Sequence, residues 1–271
     1  MTLLRRDDAE LRVTTRGEGP AVLFQHGLGG DEPQVVASFP DDAGWRRITV
    51  ECRGHGGSTL GSTRPLDFPL FTGDVLAAIA DEPGPIVVGG ISMGAALALR
   101  LAALHPERVA GLILVRPAWG FGPATHLAPN REVAALLATL PPEEARRRFE
   151  ASATAKRLAL EAPDNLTSLT GFLTRPDASA FAAVLGDISG GPGPGVTRAE
   201  AAAIACPTLV IGNRRDAIHP LAIAAELAAA IPGAQYLEVH PKADDPVRCA
   251  AEVRAAIRGF LAAVLPVETH A

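Results

Sequence analysis

The chain has 271 residues, a formal net charge of −5 and 48 % hydrophobic residues, enough for one large α/β domain or a core carrying an insertion. The mildly acidic balance, with no basic run and no interleaved aromatic and basic side chains, argues against a nucleic-acid partner. No apolar stretch approaches about 20 uninterrupted residues, which argues against a membrane span, and the first residues lack the apolar segment of a secretory leader. Cys52, Cys206 and Cys249 are odd in number and far apart, against both a disulfide framework and a metal cluster; cytoplasmic localisation is the expectation.

In chain order, residues 21–25 read as a buried strand that runs into His26-Gly27-Leu28-Gly29-Gly30. A second strand, 47–52, leads into Arg53-Gly54-His55-Gly56-Gly57-Ser58. A third, 85–89, is an apolar run of the kind that is buried in a parallel sheet, and it enters Gly90-Ile91-Ser92-Met93-Gly94. An Ala- and Leu-rich helix follows over 95–104 and stops before His105-Pro106. After the strand 109–115 the strand signal vanishes until about residue 205, and helical stretches replace it at 131–139, 142–160, 163–173 and 176–185. The Pro/Gly run 190–195 reads as a flexible connection and a hinge. Alternation resumes with a strand over 206–211, a helix over 220–230, a strand over 235–239 and a closing helix over 246–265.

Ser92 carries the chemical signal. A serine on so tight a strand-to-helix turn is forced into strained backbone angles that only glycine-sized neighbours permit, and the strain lifts its hydroxyl above the sheet at a helix N-terminus. That is the placement an acyl-transfer nucleophile needs. Acyl transfer also needs two N–H groups aimed at the developing oxyanion. The N–H of Leu28, in a glycine-flanked loop, and that of Met93, just after the nucleophile, are the expected donors.

With these pieces in this order, the chain resembles an α/β-hydrolase-fold protein over nearly its whole length. The resemblance implies a mostly parallel sheet flanked by helices, with core segments 1–116 and 206–271 and an inserted helical cap over 117–205. Trp119, Phe121, Phe149, Phe172 and Phe181 would give that cap an apolar lining, over the substrate pocket or as its own small core. The family's chain order, Ser then acid then His, makes Asp216 the acid, in a loop with one residue more than the commonest form between Gly212 and Asp216; Asp187 and Asp244 are weaker rivals. His55 falls in a structural turn beside the active site, and His26 in the oxyanion loop, where it is expected to hydrogen-bond backbone.

The departure lies at the base. Where the family usually carries its histidine, before the closing helix, this chain has Asp244. Either His240 projects from the strand end towards Ser92, or no histidine reaches Ser92. His219, in the acid's own loop, is a further candidate, and the terminal His270 lies beyond the expected region. The implied function is hydrolysis of a small, mostly uncharged carboxylic ester or lactone through an acyl-enzyme on Ser92, with no cofactor and no metal; Arg116 and Arg175 could bind a carboxylate. The alternative is a scaffold without a working triad, acting as a small-molecule binding protein or a non-hydrolytic, lyase- or cyclase-like enzyme. The partner in either case is a small molecule.

Overall fold

Strands apolar on both faces require cover on both faces. In the computed structural model, which describes residues 1–40 and 44–265, eight strands form one sheet. They are β1 (Thr2–Arg6), β2 (Ala9–Arg16), β3 (Ala21–Gln25), β4 (Arg46–Val50), β5 (Ile86–Ile91), β6 (Val109–Val115), β7 (Thr208–Asn213) and β8 (Gln235–Val239). Their order is β1-β2-β4-β3-β5-β6-β7-β8. From β4 across to β8 the neighbours are parallel, while β1 and β2 join as an antiparallel hairpin at one edge. His270 and the end of the expected second core segment lie outside the described residues.

Successive residues along the central strands alternate between two apolar clusters, as a period of two demands. Leu23, Val88, Leu112 and Val210 face α2 (Phe68–Ala78), α3 (Met93–Leu104) and α10 (Leu221–Ala230). Phe24, Val87, Ile113 and Leu209 face α1 (Glu32–Ser38) and α11 (Pro246–Val264).

Between β6 and β7 the described residues hold helices and no strand: α4 (Ala128–Thr139), α5 (Pro142–Glu150), α6 (Ala153–Glu161), α7 (Pro163–Leu173), α8 (Ala178–Gly190) and α9 (Arg198–Ala202). The stretch expected as one helix over 142–160 is broken in two. Ser152 takes an extended conformation and its side chain accepts from the Ala155 N–H, capping a new start. Helices α4 to α8 share a third apolar cluster, whereas Ala201 of α9 joins the sheet-face cluster beneath α3 and α10. Within the 190–195 run, Arg100 Nη1 donates to the Pro194 carbonyl at 2.6 Å, and Gly193 packs on Trp119. Among the described residues no helix is long and apolar enough to cross a membrane.

Candidate active site

Ser92 stands between β5 and α3 with φ 56° and ψ −107°. It is one of few non-glycine residues here with positive φ, a conformation that costs about 1–3 kcal/mol and persists only where its surroundings hold it. Its N–H donates to Val115 O at 2.9 Å and its carbonyl accepts from Ala96 N at 3.1 Å. The turn lies so close to the end of β3 that a Cβ on Gly94 would collide with the Gln25 carbonyl oxygen. Met93 is the first residue of α3, so its N–H has no acceptor within the helix.

The loop after β3 approaches Ser92 from the other side: a Cβ on Gly27 would lie 3.3 Å from the Ser92 Cβ. Gly27 N donates to Gln34 Oε1 at 2.7 Å and Gly30 N to Gly27 O at 2.9 Å, which sets the loop's shape around Leu28. Gly29, at φ 76°, packs on the Phe172 ring, and Arg175 Nη1 donates to its carbonyl at 2.9 Å. Beneath, His26 Nδ1–H donates to Gly27 O at 2.8 Å while Nε2 accepts from Cys52 N at 3.0 Å. One donating and one accepting nitrogen fix a neutral imidazole, and burial pushes its pKa down. His55 is likewise buried, with Nδ1 on Arg53 O at 3.0 Å. Both rings support loops.

The acid loop follows β7. Asp216 Oδ1 accepts from the backbone N–H of His219 and from His219 Nδ1, each at 2.9 Å. Asp216 Oδ2 accepts from Arg116 Nε at 2.9 Å and from Arg116 Nη2. A carboxylate only accepts, so Nδ1 carries the proton and Nε2 of His219 is left as the basic nitrogen. Arg116 Nη2 lies 3.3 Å from the same Nδ1, a contact between two donors. Arg116, the residue after β6, reaches this place in a left-handed conformation, φ 46°. Burial opposes the charge on Asp216, but Arg116 and His219 outweigh it and hold the carboxyl below its usual range. For His219, burial and the Arg116 charge outweigh the attraction of Asp216 and lower its pKa below the ordinary 6.5. Asn165 of α7 pins the loop from above, its Oδ1 accepting from Ala217 N at 2.7 Å and Ile218 N at 3.2 Å.

Ser92, His219, Arg116 and Leu28 open on one cavity of about 340 Å3, closed over by α4 and α7 through Leu127, Asn130, Leu169 and Phe172. Trp119 and Phe172 of the expected apolar lining belong to it. Phe149 and Phe181 are instead buried in the apolar cluster that α4 to α8 share with α2 and α3, and Phe121 packs beside α9 with Arg198 over its ring. His240 does not line the cavity. Its backbone N–H donates to Glu252 Oε2 at 2.6 Å, and a turn closed by Asp244 N on Pro241 O at 3.0 Å carries the chain round so that Lys242 enters instead. The rival Asp244 pairs with Arg215, and Asp187 Oδ2 accepts from Leu66 N at 2.9 Å. Arg116 as the acid's second partner, Asn165 as its clamp and Lys242 in the wall were not read from the sequence; the one available signal was a charged residue, Arg116, directly after a fully apolar strand.

A model of the alpha/beta hydrolase family matches residues 22–256. The pimeloyl-[acyl-carrier protein] methyl ester esterase of Chromobacterium violaceum is 30 % identical over 251 residues, covering 84 % of this chain and 88 % of that one. Among solved structures, the enol-lactonase from Burkholderia xenovorans LB400 superposes with a TM-score of 0.69 at 26 % identity, over 93 % of this chain and 96 % of its own. A malate-bound thermophilic esterase from Thermogutta terrifontis gives 0.72 at 26 % identity, over 95 % and 94 %. The elbow at Ser92, the strand order and these matches agree: the chain belongs to the alpha/beta hydrolase family.

Proposed function

We propose that the protein hydrolyses a small carboxylic ester or lactone through an acyl-enzyme on Ser92, with His219, three residues after the acid, as the base in place of His240. The observation that carries this reading is the 2.9 Å contact of His219 Nδ1 with Asp216 Oδ1, on a ring that opens on the same cavity as Ser92. Nε2 of His219 takes the Ser92 proton as Oγ attacks the carbonyl carbon, and Asp216 steadies the imidazolium. The N–H groups of Leu28 and Met93 bind the oxyanion, a donor of this kind being worth about 3 kcal/mol. The alkoxide leaves with the proton from His219; in a lactone it stays tethered as a hydroxyl. Water, deprotonated by the same nitrogen, then releases the acid. The helices from α4 to α8 act as the cap that keeps bulk water out.

Resemblance to named esterases and a lactonase supports the reaction class. A second reading, a family member without hydrolytic turnover that binds a small molecule or catalyses a lyase- or cyclase-like step, draws on Arg116. Its guanidinium faces His219 Nδ1 and opposes protonation of the base. Intact mass after incubation with a fluorophosphonate separates them. One adduct on the wild type, lost in Ser92→Ala and in His219→Ala but kept in His240→Ala, is expected. Labelling of His219→Ala at the wild-type rate would remove His219 from the mechanism, and no adduct on the folded wild type would favour the second reading.

A further inference from the structure

The wall of the Ser92 cavity carries three full cations, Arg116, Arg175 and Lys242, and no Asp or Glu among its lining residues. Arg175 has all three of its nitrogens engaged, and Arg116 its Nε and Nη2. Arg116 is held by Asp216 and by Asp164 Oδ2 at 3.3 Å. Arg175 is held by the Gly29 carbonyl at 2.9 Å and, on its outer side, by Asp177 at 2.8 and 3.0 Å. Lys242 is different. Its one partner among the described residues is Asp164 Oδ2 at 3.7 Å, an ion pair too long for a hydrogen bond and shared with Arg116.

Behind this wall Asp216 and Asp164 answer Arg116 and Asp177 answers Arg175, which leaves Lys242, sharing Asp164, as a lining cation without a hydrogen bond. An apolar, uncharged ester offers the Lys242 ammonium no charged acceptor.

We propose that Lys242 receives a carboxylate of the substrate, so that the preferred substrates are esters or lactones bearing a second, free acid group rather than the mostly uncharged ester that the apolar helices imply. A monoanion fits because the Lys242 ammonium has an ion pair but no hydrogen bond, and a carboxylate accepts two of its hydrogens while the ester carbonyl lies at Ser92. This inference rests on the hydrolase reading for turnover, but not for binding.

The test compares monomethyl succinate, glutarate and adipate with methyl butanoate, pentanoate and hexanoate. A charge-assisted hydrogen bond corresponds to roughly ten- to a hundredfold in affinity. The wild type is expected to favour the acid-bearing series by about that factor in kcat/KM. In Lys242→Gln the ratio between the series falls towards one, in Lys242→Glu it inverts, and in Lys242→Arg it persists. Lys242→Met is the alternative neutral variant should Lys242→Gln not fold. A wild-type ratio at or below one overturns the proposal. So does a ratio unchanged in Lys242→Gln, including the case in which both series lose turnover equally and Lys242 acts in the chemistry itself.

Calorimetry of monomethyl glutarate with Ser92→Ala, against Ser92→Ala/Lys242→Gln, decides the same point without turnover. Weakening by about tenfold or more supports the site, and equal or undetectable binding in both removes it. Absence of turnover with retained, Lys242-dependent binding would sink the hydrolase reading and leave the carboxylate site standing.

Discussion

At the scale of single residues, the unusual group is Arg116. An acid that served His219 alone would raise the imidazole's proton affinity; here Asp216 divides its two oxygens between a histidine and a guanidinium. Burial and the guanidinium charge together keep His219 below 6.5. A base works when neutral, so kcat/KM is expected to fall on the acid side with a midpoint below pH 6.5. In Arg116→Gln the cation is gone and Asp216 acts unopposed, so that midpoint moves to higher pH. A midpoint that stays or moves down would show that Arg116 does not set the base. The same shift has a stability consequence. Below pH 6.5 the unfolded chain protonates His219 before the folded one does, so stability declines as the pH drops through that value. Asp216, depressed when folded, adds stability above its usual 3.8 that is lost only as the pH falls further, through its folded value.

At the scale of elements, α7 organises the site from above. Asn165 holds the acid loop by two N–H groups, Phe172 seals Gly29 and Arg175, just past the helix end, holds that glycine's carbonyl. Asn165→Ala leaves two N–H groups without their acceptor and should cost about 1–3 kcal/mol in urea unfolding. Because Asp216 and His219 flank those groups, kcat/KM should also fall, roughly ten- to a hundredfold. Loss of stability with unchanged turnover would confine Asn165 to a structural role. Gly29→Ala puts a Cβ into the Phe172 ring at a left-handed backbone position. We expect a loss of more than about 1 kcal/mol, part of it recovered when Phe172→Ala is added, as a double-mutant cycle on melting temperature would reveal.

At the scale of the whole molecule, two apolar layers and a buried ionic tie hold the sheet to its loops. Arg53, 1 % exposed in its side chain, is gripped by Asp74 at 2.7 Å, with Asp8 on its other side. It joins the loop after β4 to α2 and to the β1–β2 turn. Removing one partner leaves a buried charge uncompensated, so Asp74→Ala should destabilise the protein by roughly 3–5 kcal/mol. A change under about 1 kcal/mol would mean that the loop relaxes to hydrate Arg53.

Much of the architecture could be read from local pattern, because it is local: β3, β5, β6 and β7 announce themselves as apolar runs, and Ser92 sits in a turn that glycines alone permit. The β1–β2 hairpin escaped notice because β1 is an edge strand and both strands interleave charged residues, such as Arg5, Glu10 and Arg16, with apolar ones. The break at Ser152 escaped because helix propensity runs unbroken across it, while a cap is a matter of one backbone conformation.

By itself the sequence determined the alternating strands and helices and the glycine-flanked turn at Ser92, since each depends on residues within a few positions of one another. Tertiary structure alone decided which side chains share the cavity. His219, Lys242, Asn130 and Asn165 come from separate elements, and a left-handed Arg116 and a turn at Pro241 determine who faces Ser92. Such meetings depend on where β6, β7, β8 and α7 end in space, which no spacing along the chain encodes.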